Sequence, residues 1–210
     1  MISLSDAGKR FNRDWIFRHF TYTFETGQSY AITGPNGSGK STLLQALSGS
    51  MMLNEGNIRY EQPKSGSQGS VMIPVESIYQ QVSICAPYLE IVEEMTLKEF
   101  LDFHHGFKPF LKGITTSSII SILGLEKSAH KQIRYYSSGM KQRAKLAQCI
   151  FSDTAIVLLD EPCTNLDAPG IELYHQLIAD HCADRLVVVS SNDEVEYRFC
   201  RERINVRDYS

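Results

Sequence analysis

Residues 34–42 read Gly34-Pro35-Asn36-Gly37-Ser38-Gly39-Lys40-Ser41-Thr42. Gly34, Gly37 and Gly39 let successive backbone N–H groups curl around an anion where a Cβ would obstruct the approach, and Lys40 adds a counter-charge. Upstream, Ser29-Tyr30-Ala31-Ile32-Thr33 is a short β-prone run. Downstream, Ser41 to Leu47 carries the apolar spacing of a helix that ends near Gly49. The order strand, loop, helix predicts a phosphate-binding loop for a nucleoside triphosphate, with Gly34 to Thr42 as the candidate contacts. The helix start would aim its free N–H groups at the phosphates, and the Ser41 hydroxyl is placed to ligate Mg²⁺.

Working outward, the chain of 210 residues is long enough for one large domain with a modest insertion. A hydrophobic content of 42%, a charged content of 21% and a formal charge of -3 fit a soluble globular protein and argue against a direct nucleic-acid partner. No window approaches the roughly 20 apolar residues of a membrane span, and the N-terminus has no apolar secretion-signal region, so a cytosolic chain is expected. Cys85, Cys149, Cys163, Cys182 and Cys200 are odd in number, scattered and without a CxxC, which predicts reduced thiols.

Alternation in Phe20-Thr21-Tyr22-Thr23-Phe24 predicts strands buried on one side, in an antiparallel arrangement before and just after the loop. Gln62 to Ser70 reads as a flexible surface loop, and Gln81 to Ala86 as a strand. From Pro87 to about Phe151 the spacing is helical, as in Leu97, Phe100, Leu101 and Ile119, Ile120, Leu123. Ala155 to Leu159 and Leu186 to Val189 are continuous apolar runs, typical of parallel strands covered on both faces, with a helix between them from about Pro169 to Cys182. The fold class is therefore α/β: a P-loop NTPase (RecA-like) core, residues 1–86 and 152–210, with an N-terminal antiparallel β subdomain and an inserted α-helical subdomain, residues 87–151.

Leu158-Leu159-Asp160-Glu161-Pro162 sets two carboxylates at the carboxyl end of a buried strand, where ligands sit in open α/β sheets. Asp160 would hold Mg²⁺, directly or through water, and Glu161 would polarise the water that attacks the γ-phosphate. Between the two motifs, Tyr136-Ser137-Ser138-Gly139-Met140-Lys141-Gln142-Arg143 opens a helix, with Ser137 or Ser138 as its cap. Lys141, Arg143 and Lys145 read as a solvated or interface face.

The order of phosphate loop, helical segment, SSGMKQR, LLLDEP and then Thr164-Asn165-Leu166-Asp167 resembles the nucleotide-binding subunit of ATP-binding cassette (ABC) transporters over nearly the whole chain. The resemblance implies an ATP hydrolase acting as a head-to-tail dimer, homo- or heterodimeric. In it, Ser137 and Gly139 of one subunit cap the ATP held by the other. It also implies docking on the cytoplasmic face of the inner or plasma membrane against a separate multi-spanning permease, with Phe103, Phe107 and Phe110 in the facing region, although core packing is the more common fate of such aromatics. In this family an aromatic near the N-terminus stacks on adenine; Phe11 sits where that residue is expected, with Trp15 as the rival. The alternative is a soluble ABC-type ATP-dependent switch acting on a non-membrane partner, though such relatives often carry two cassettes or long insertions.

Two positions depart from the family's pattern. Where a lid glutamine is expected, nine residues before Thr96, the chain has Pro87, which offers no side-chain donor or acceptor. Gln80 and Gln81 come too early, and Glu90 lies beyond. Where a switch histidine is expected, Ser190-Ser191-Asn192-Asp193 has Asn192, which donates a hydrogen bond but carries no charge. With Asp160 and Glu161 intact, a slow ATPase is expected. His104 and His105 lack a Cys or carboxylate at ligand spacing and read as packing or surface residues.

Overall fold

The computed structural model describes residues 1–63 and 69–209. The chain opens with an antiparallel sheet whose strand order is β2-β1-β4-β5, formed by β1 (Ile2–Phe11), β2 (Asp14–Phe24), β4 (Glu55–Pro63) and β5 (Ser70–Ile73). Of the predicted 62–70 surface loop, residues 64–68 lie outside the described residues. Its flanks are paired instead, Gln62 against Val71 and Pro63 against Ser70. β5 escaped sequence reading because its four residues are largely exposed and show no alternation.

The second sheet has the order β6-β7-β8-β3-β9, all parallel: β3 (Ser29–Thr33), β6 (Val82–Cys85), β7 (Ile156–Asp160), β8 (Leu186–Ser190) and β9 (Glu202–Asn205). β7 and β8 are buried along their whole length, and their side chains alternate between two cores. Ile156, Leu158, Leu186 and Val188 face a cluster with Phe17, Phe20, Phe24, Leu43, Leu44 and Leu47, which glues the antiparallel sheet and α1 (Lys40–Leu47) to the parallel one. Val157, Leu159, Val187 and Val189 face a second cluster that includes Tyr174 and Leu177 of α5 (Ala168–His181). The period of two is why a continuous apolar run serves both faces.

The helices α2 (Leu97–Phe107), α3 (Thr116–Ile122) and α4 (Ser138–Ile150) lie in sequence between β6 and β7, and a short α6 (Glu194–Tyr197) follows β8. Thr96 caps α2 in a reciprocal capping box with Glu99, and Thr115 does the same for α3 with Ser118. Leu97, Phe100, Leu101, Ile119, Ile120 and Leu123 all join the second cluster. Phe110 belongs there too, at 6% exposure, which corrects its placement in a docking face; Phe103 and Phe107 are exposed and pair edge to face at 4.9 Å.

The three basic residues of α4 are partly buried and bonded within the chain. Lys141 pairs with Glu93 at 2.6 Å, an Arg143 Nη donates to the Leu123 carbonyl at 3.3 Å, and Lys145 Nζ to the Pro87 carbonyl at 3.3 Å. They tie the helical segment to itself and to the strand-to-helix connection.

One register places the site. Ile32 of β3 pairs with Ser190 of β8, and Ser190 pairs with Asp160 of β7. The three strands therefore reach their carboxyl ends together, and the segments that leave them converge at the crevice where open parallel sheets bind ligands.

Candidate functional site

The loop between Thr33 and Lys40 is built around left-handed glycines. Gly39 has φ 98°, and a Cβ there would lie 2.3 Å from Cγ2 of Ile16. Gly34 has φ 142°, and its Cβ would lie 2.6 Å from Oγ of Ser38. Only glycine fits either position. Lys40 is 95% buried and folds back, its Nζ donating to the Gly34 carbonyl at 2.9 Å and the Pro35 carbonyl at 3.2 Å. α1 starts with no side-chain cap and no acidic residue in its first turn, so its leading N–H groups are left for an anion. Ser38 Oγ is buried without a hydrogen-bond partner among the described residues. A bare helix start, an orphaned hydroxyl and a cradle that a Cβ would fill fit a chain of phosphates.

Asp160 ends β7, buried, and its Oδ1 accepts the Ser190 hydroxyl at 2.6 Å. Glu161 follows with φ 44°, a left-handed conformation in a residue other than glycine, held by its N–H bond to the Ser190 carbonyl at 2.9 Å. Such backbone strain is kept where surrounding contacts over-determine it. Ser41 and Asp160 offer hard oxygen donors of the kind Mg²⁺ takes. An ion that keeps several waters needs only one or two protein ligands, so the lack of any cluster of three His, Cys, Asp or Glu ligands among the described residues is compatible with it.

Asn192 lies just past β8, and its Nδ2 donates to Oδ1 of Asn36 in the loop at 3.3 Å. Asn36, Glu161, Ser191, Asn192 and Glu196 line one cleft of about 380 Å³. A second cleft of about 380 Å³ is walled by Trp15, Ile16, Asn36, Gly37, Ser38 and Arg207. Thus Trp15, with the Arg18 guanidinium 4.5 Å over its ring, stands beside the loop. Phe11 sits at the end of β1 opposite Asp14, 48% exposed, with Lys9 Nζ 5.3 Å over its ring.

Ser137 is the N-cap of α4, accepting the Met140 N–H at 3.3 Å. Gly139 packs so closely that a Cβ would lie 3.1 Å from the Asn165 carbonyl oxygen. Ser138 and Asn165 line a cleft of about 440 Å³ with Glu90, Glu93, Lys141 and Gln142. The SSGMKQR segment and the phosphate loop thus open on different clefts of one subunit. Pro87 is exposed and contributes only its carbonyl; the adjoining Tyr88 lies against Gln45, and burial raises its phenol above the ordinary value.

Four structural contributors had no clear sequence signal. Ser190 orients Asp160. Gln142 donates to the Pro162 carbonyl at 2.7 Å, joining α4 to the segment after Glu161. Glu196 is buried, unlike its neighbour Glu194, which pairs with Arg203 at the surface. Arg185 is buried with no carboxylate paired to it among the described residues and donates to the carbonyls of Ile150, Ser152 and Thr154 at 2.6 to 2.9 Å. All five cysteines are free thiols.

A glycine-cradled loop at the end of a parallel strand, with an acidic pair two strands away, defines a P-loop nucleoside triphosphatase. Residues 17–164 match the ABC transporter family, and the chain belongs to it; it is an ATP hydrolase of the ABC class. It is 32% identical to the ABC transporter ATP-binding protein YybJ of Bacillus subtilis (strain 168), over 85% of this chain and 78% of that one. It is 30% identical to the cytochrome c biogenesis ATP-binding export protein CcmA of Rhizobium meliloti (strain 1021), over 88% and 87%. A third relative, YhcH of Bacillus subtilis (strain 168), is 29% identical over 98% of this chain, which spans 66% of its length. Among solved structures, a putative ABC transporter ATP-binding protein from Pyrococcus furiosus superposes with a TM-score of 0.80 at 21% identity, covering 100% of this chain and 98% of that one. The ATP-binding cassette MJ0796, solved as a dimer in a post-hydrolysis state with ADP and Pi, gives 0.79 at 19%, covering 98% and 94%.

Proposed function

We propose that the chain powers an ABC transporter as its separately encoded ATP-binding subunit, closing head to tail on a second cassette when ATP binds and hydrolysing it slowly. The observation that carries this reading is the division of the site. Asn36 of the loop, Glu161 and Asn192 share one cleft, while the start of α4 borders another, which supports a reading of two half-sites per subunit that a partner would complete. No helix among the described residues is long and apolar enough to cross a membrane; in this reading the substrate path belongs to a multi-spanning permease on whose cytoplasmic face the cassette docks.

In this reading Lys40 leaves the Gly34 and Pro35 carbonyls for the phosphate oxygens, and the N–H groups of the loop and of α1 complete the cradle. Ser41 and Asp160 would hold Mg²⁺, which when bound offsets phosphate charge. Glu161 polarises the attacking water, and the Ser137 hydroxyl with the Gly139 end of the partner's α4 donates to the γ-phosphate. Phe11 or Trp15 stacks on adenine.

Hydrolysis is slow because Asn192 supplies a neutral donor where an imidazolium would give a charge-assisted one, a loss of about 1 kcal/mol or several-fold in rate, and because Pro87 contributes no side-chain contact. Steady-state phosphate release against a Glu161→Gln control tests this. Turnover above the control supports a slow ATPase; turnover equal to it leaves an ATP-gated clamp. Co-purification with a polytopic protein from solubilised membranes supports transport, and recovery solely with soluble partners rejects it.

A further inference from the structure

We infer that Glu196 is a positioning residue for ATP hydrolysis, its buried carboxylate holding the loop that carries Glu161 in register with the loop that carries Asn192. The inference rests on the reading of Glu161 and Asn192 as acting at the γ-phosphate.

The two loops are laced together by three bonds that run from strand end to loop tip. The Ser190 hydroxyl donates to Asp160 at 2.6 Å, the Glu161 N–H to the Ser190 carbonyl at 2.9 Å, and the Cys163 N–H to Glu196 Oε1 at 2.7 Å. The first two follow from the register of β7 and β8. The third joins the turn after β7 to the short α6, where no strand ladder fixes the spacing, and it depends on one side chain. Its far side is anchored as well, because the Tyr174 hydroxyl in the core of α5 donates to the Glu196 carbonyl at 2.8 Å.

Glu196 is 95% buried, and it lines the cleft that also holds Asn36, Glu161 and Asn192. Its Oε2 has no hydrogen-bond partner among the described residues. Burial raises its carboxyl above the ordinary value, against the opposing pull of Ser191 and the Cys163 N–H. A buried carboxylate satisfied at one oxygen is a poor choice for packing alone. It is a good choice for a latch that must hold a strained glutamate and a γ-phosphate donor at a fixed separation, since misplacement by about 1 Å is enough to slow a reaction on the order of a hundredfold.

The test compares Glu196→Ala and Glu196→Gln by hydrogen exchange at the Cys163 amide and by steady-state hydrolysis over a MgATP titration. Glu196→Ala is expected to speed exchange at Cys163 at least about tenfold and to lower kcat about tenfold, with KM within about twofold. Glu196→Gln keeps an oxygen for the Cys163 N–H and is expected to retain most of kcat and of the protection. Unchanged exchange in Glu196→Ala overturns the latch, as does a loss of kcat in Glu196→Gln equal to that in Glu196→Ala, which would assign the effect to charge. If Glu196→Ala fails to fold, the glutamine variant decides alone: retained protection and kcat support the inference and their loss overturns it. Wild-type turnover no higher than Glu161→Gln counts against the hydrolysis reading instead, and the exchange measurement still decides the latch.

Discussion

Asn192 Nδ2 donates to Asn36 Oδ1 across 3.3 Å, so the loop after β8 touches the phosphate loop through two neutral amides. An imidazole at this position would titrate in the physiological range, whereas an amide does not. Replacing Asn192 with His is therefore expected to raise kcat several-fold, and Asn192→Ala to lower it several-fold with little change in nucleotide affinity. Initial-rate measurements on both variants check this. Equal rates in all three proteins would remove Asn192 from the mechanism.

Lys40 is buried and holds two carbonyls of its own loop, at 2.9 and 3.2 Å. Under the proposed role of Lys40 those bonds would be exchanged for charge-assisted bonds to phosphate, worth about 1.5–3 kcal/mol. Lys40→Ala is expected to weaken ATP affinity by about ten- to a hundredfold, measured by isothermal titration calorimetry. Affinity within threefold of wild type would contradict the assignment.

Arg185 fills a cage of carbonyls contributed by Ile150, Ser152 and Thr154, with the Thr154 hydroxyl at 2.6 Å. Truncation would orphan several buried acceptors at about 1–3 kcal/mol each. Arg185→Ala is expected to cost at least about 3 kcal/mol, a large share of the stability of a domain this size. Urea unfolding of the apo protein measures it.

His104 is held neutral, its pKa lowered to about 4 chiefly by burial, with Lys108 and His105 adding to the shift. Its Nδ1 lies 3.0 Å from the Gln148 amide nitrogen and its Nε2 2.8 Å from the Ser152 hydroxyl, a fit for the tautomer with the proton on Nε2. Because the unfolded value is 6.5, the unfolded chain binds more protons between pH 6.5 and about 4. Stability from this group is full above about pH 6.5 and falls as pH drops through that window, by about 1–2 kcal/mol after discounting for its partial exposure. His104→Gln should flatten the stability profile over that range in denaturant titrations at stepped pH.

The parts of this chain legible in sequence are those whose signal is local. The glycine spacing of the phosphate loop, the apolar runs of β7 and β8 and the serine cap of α4 each answer to neighbouring residues in the chain. β9 was not legible, because an edge strand buries a single side chain, Ile204, and its other residues are charged or polar. Whether Phe110 packs in the core or joins a docking face, and what the basic residues of α4 meet, was illegible for a related reason. An aromatic or a cation looks alike in sequence whether it faces solvent or a neighbour that arrives from a distant segment.

By itself, then, the sequence marked Gly34 to Thr42 as a candidate phosphate-binding loop and set an acidic pair at the end of a buried strand, because phosphate binding and strand burial demand particular residues at fixed short spacings. Only the tertiary structure decided that Ile32, Ser190 and Asp160 share one register, that Asn192 meets Asn36, and that Glu196 reaches Cys163 from 33 residues away. Those are long-range pairings. They are set by which faces of the two sheets and of α5 bury against one another, and no spacing along the chain encodes that choice.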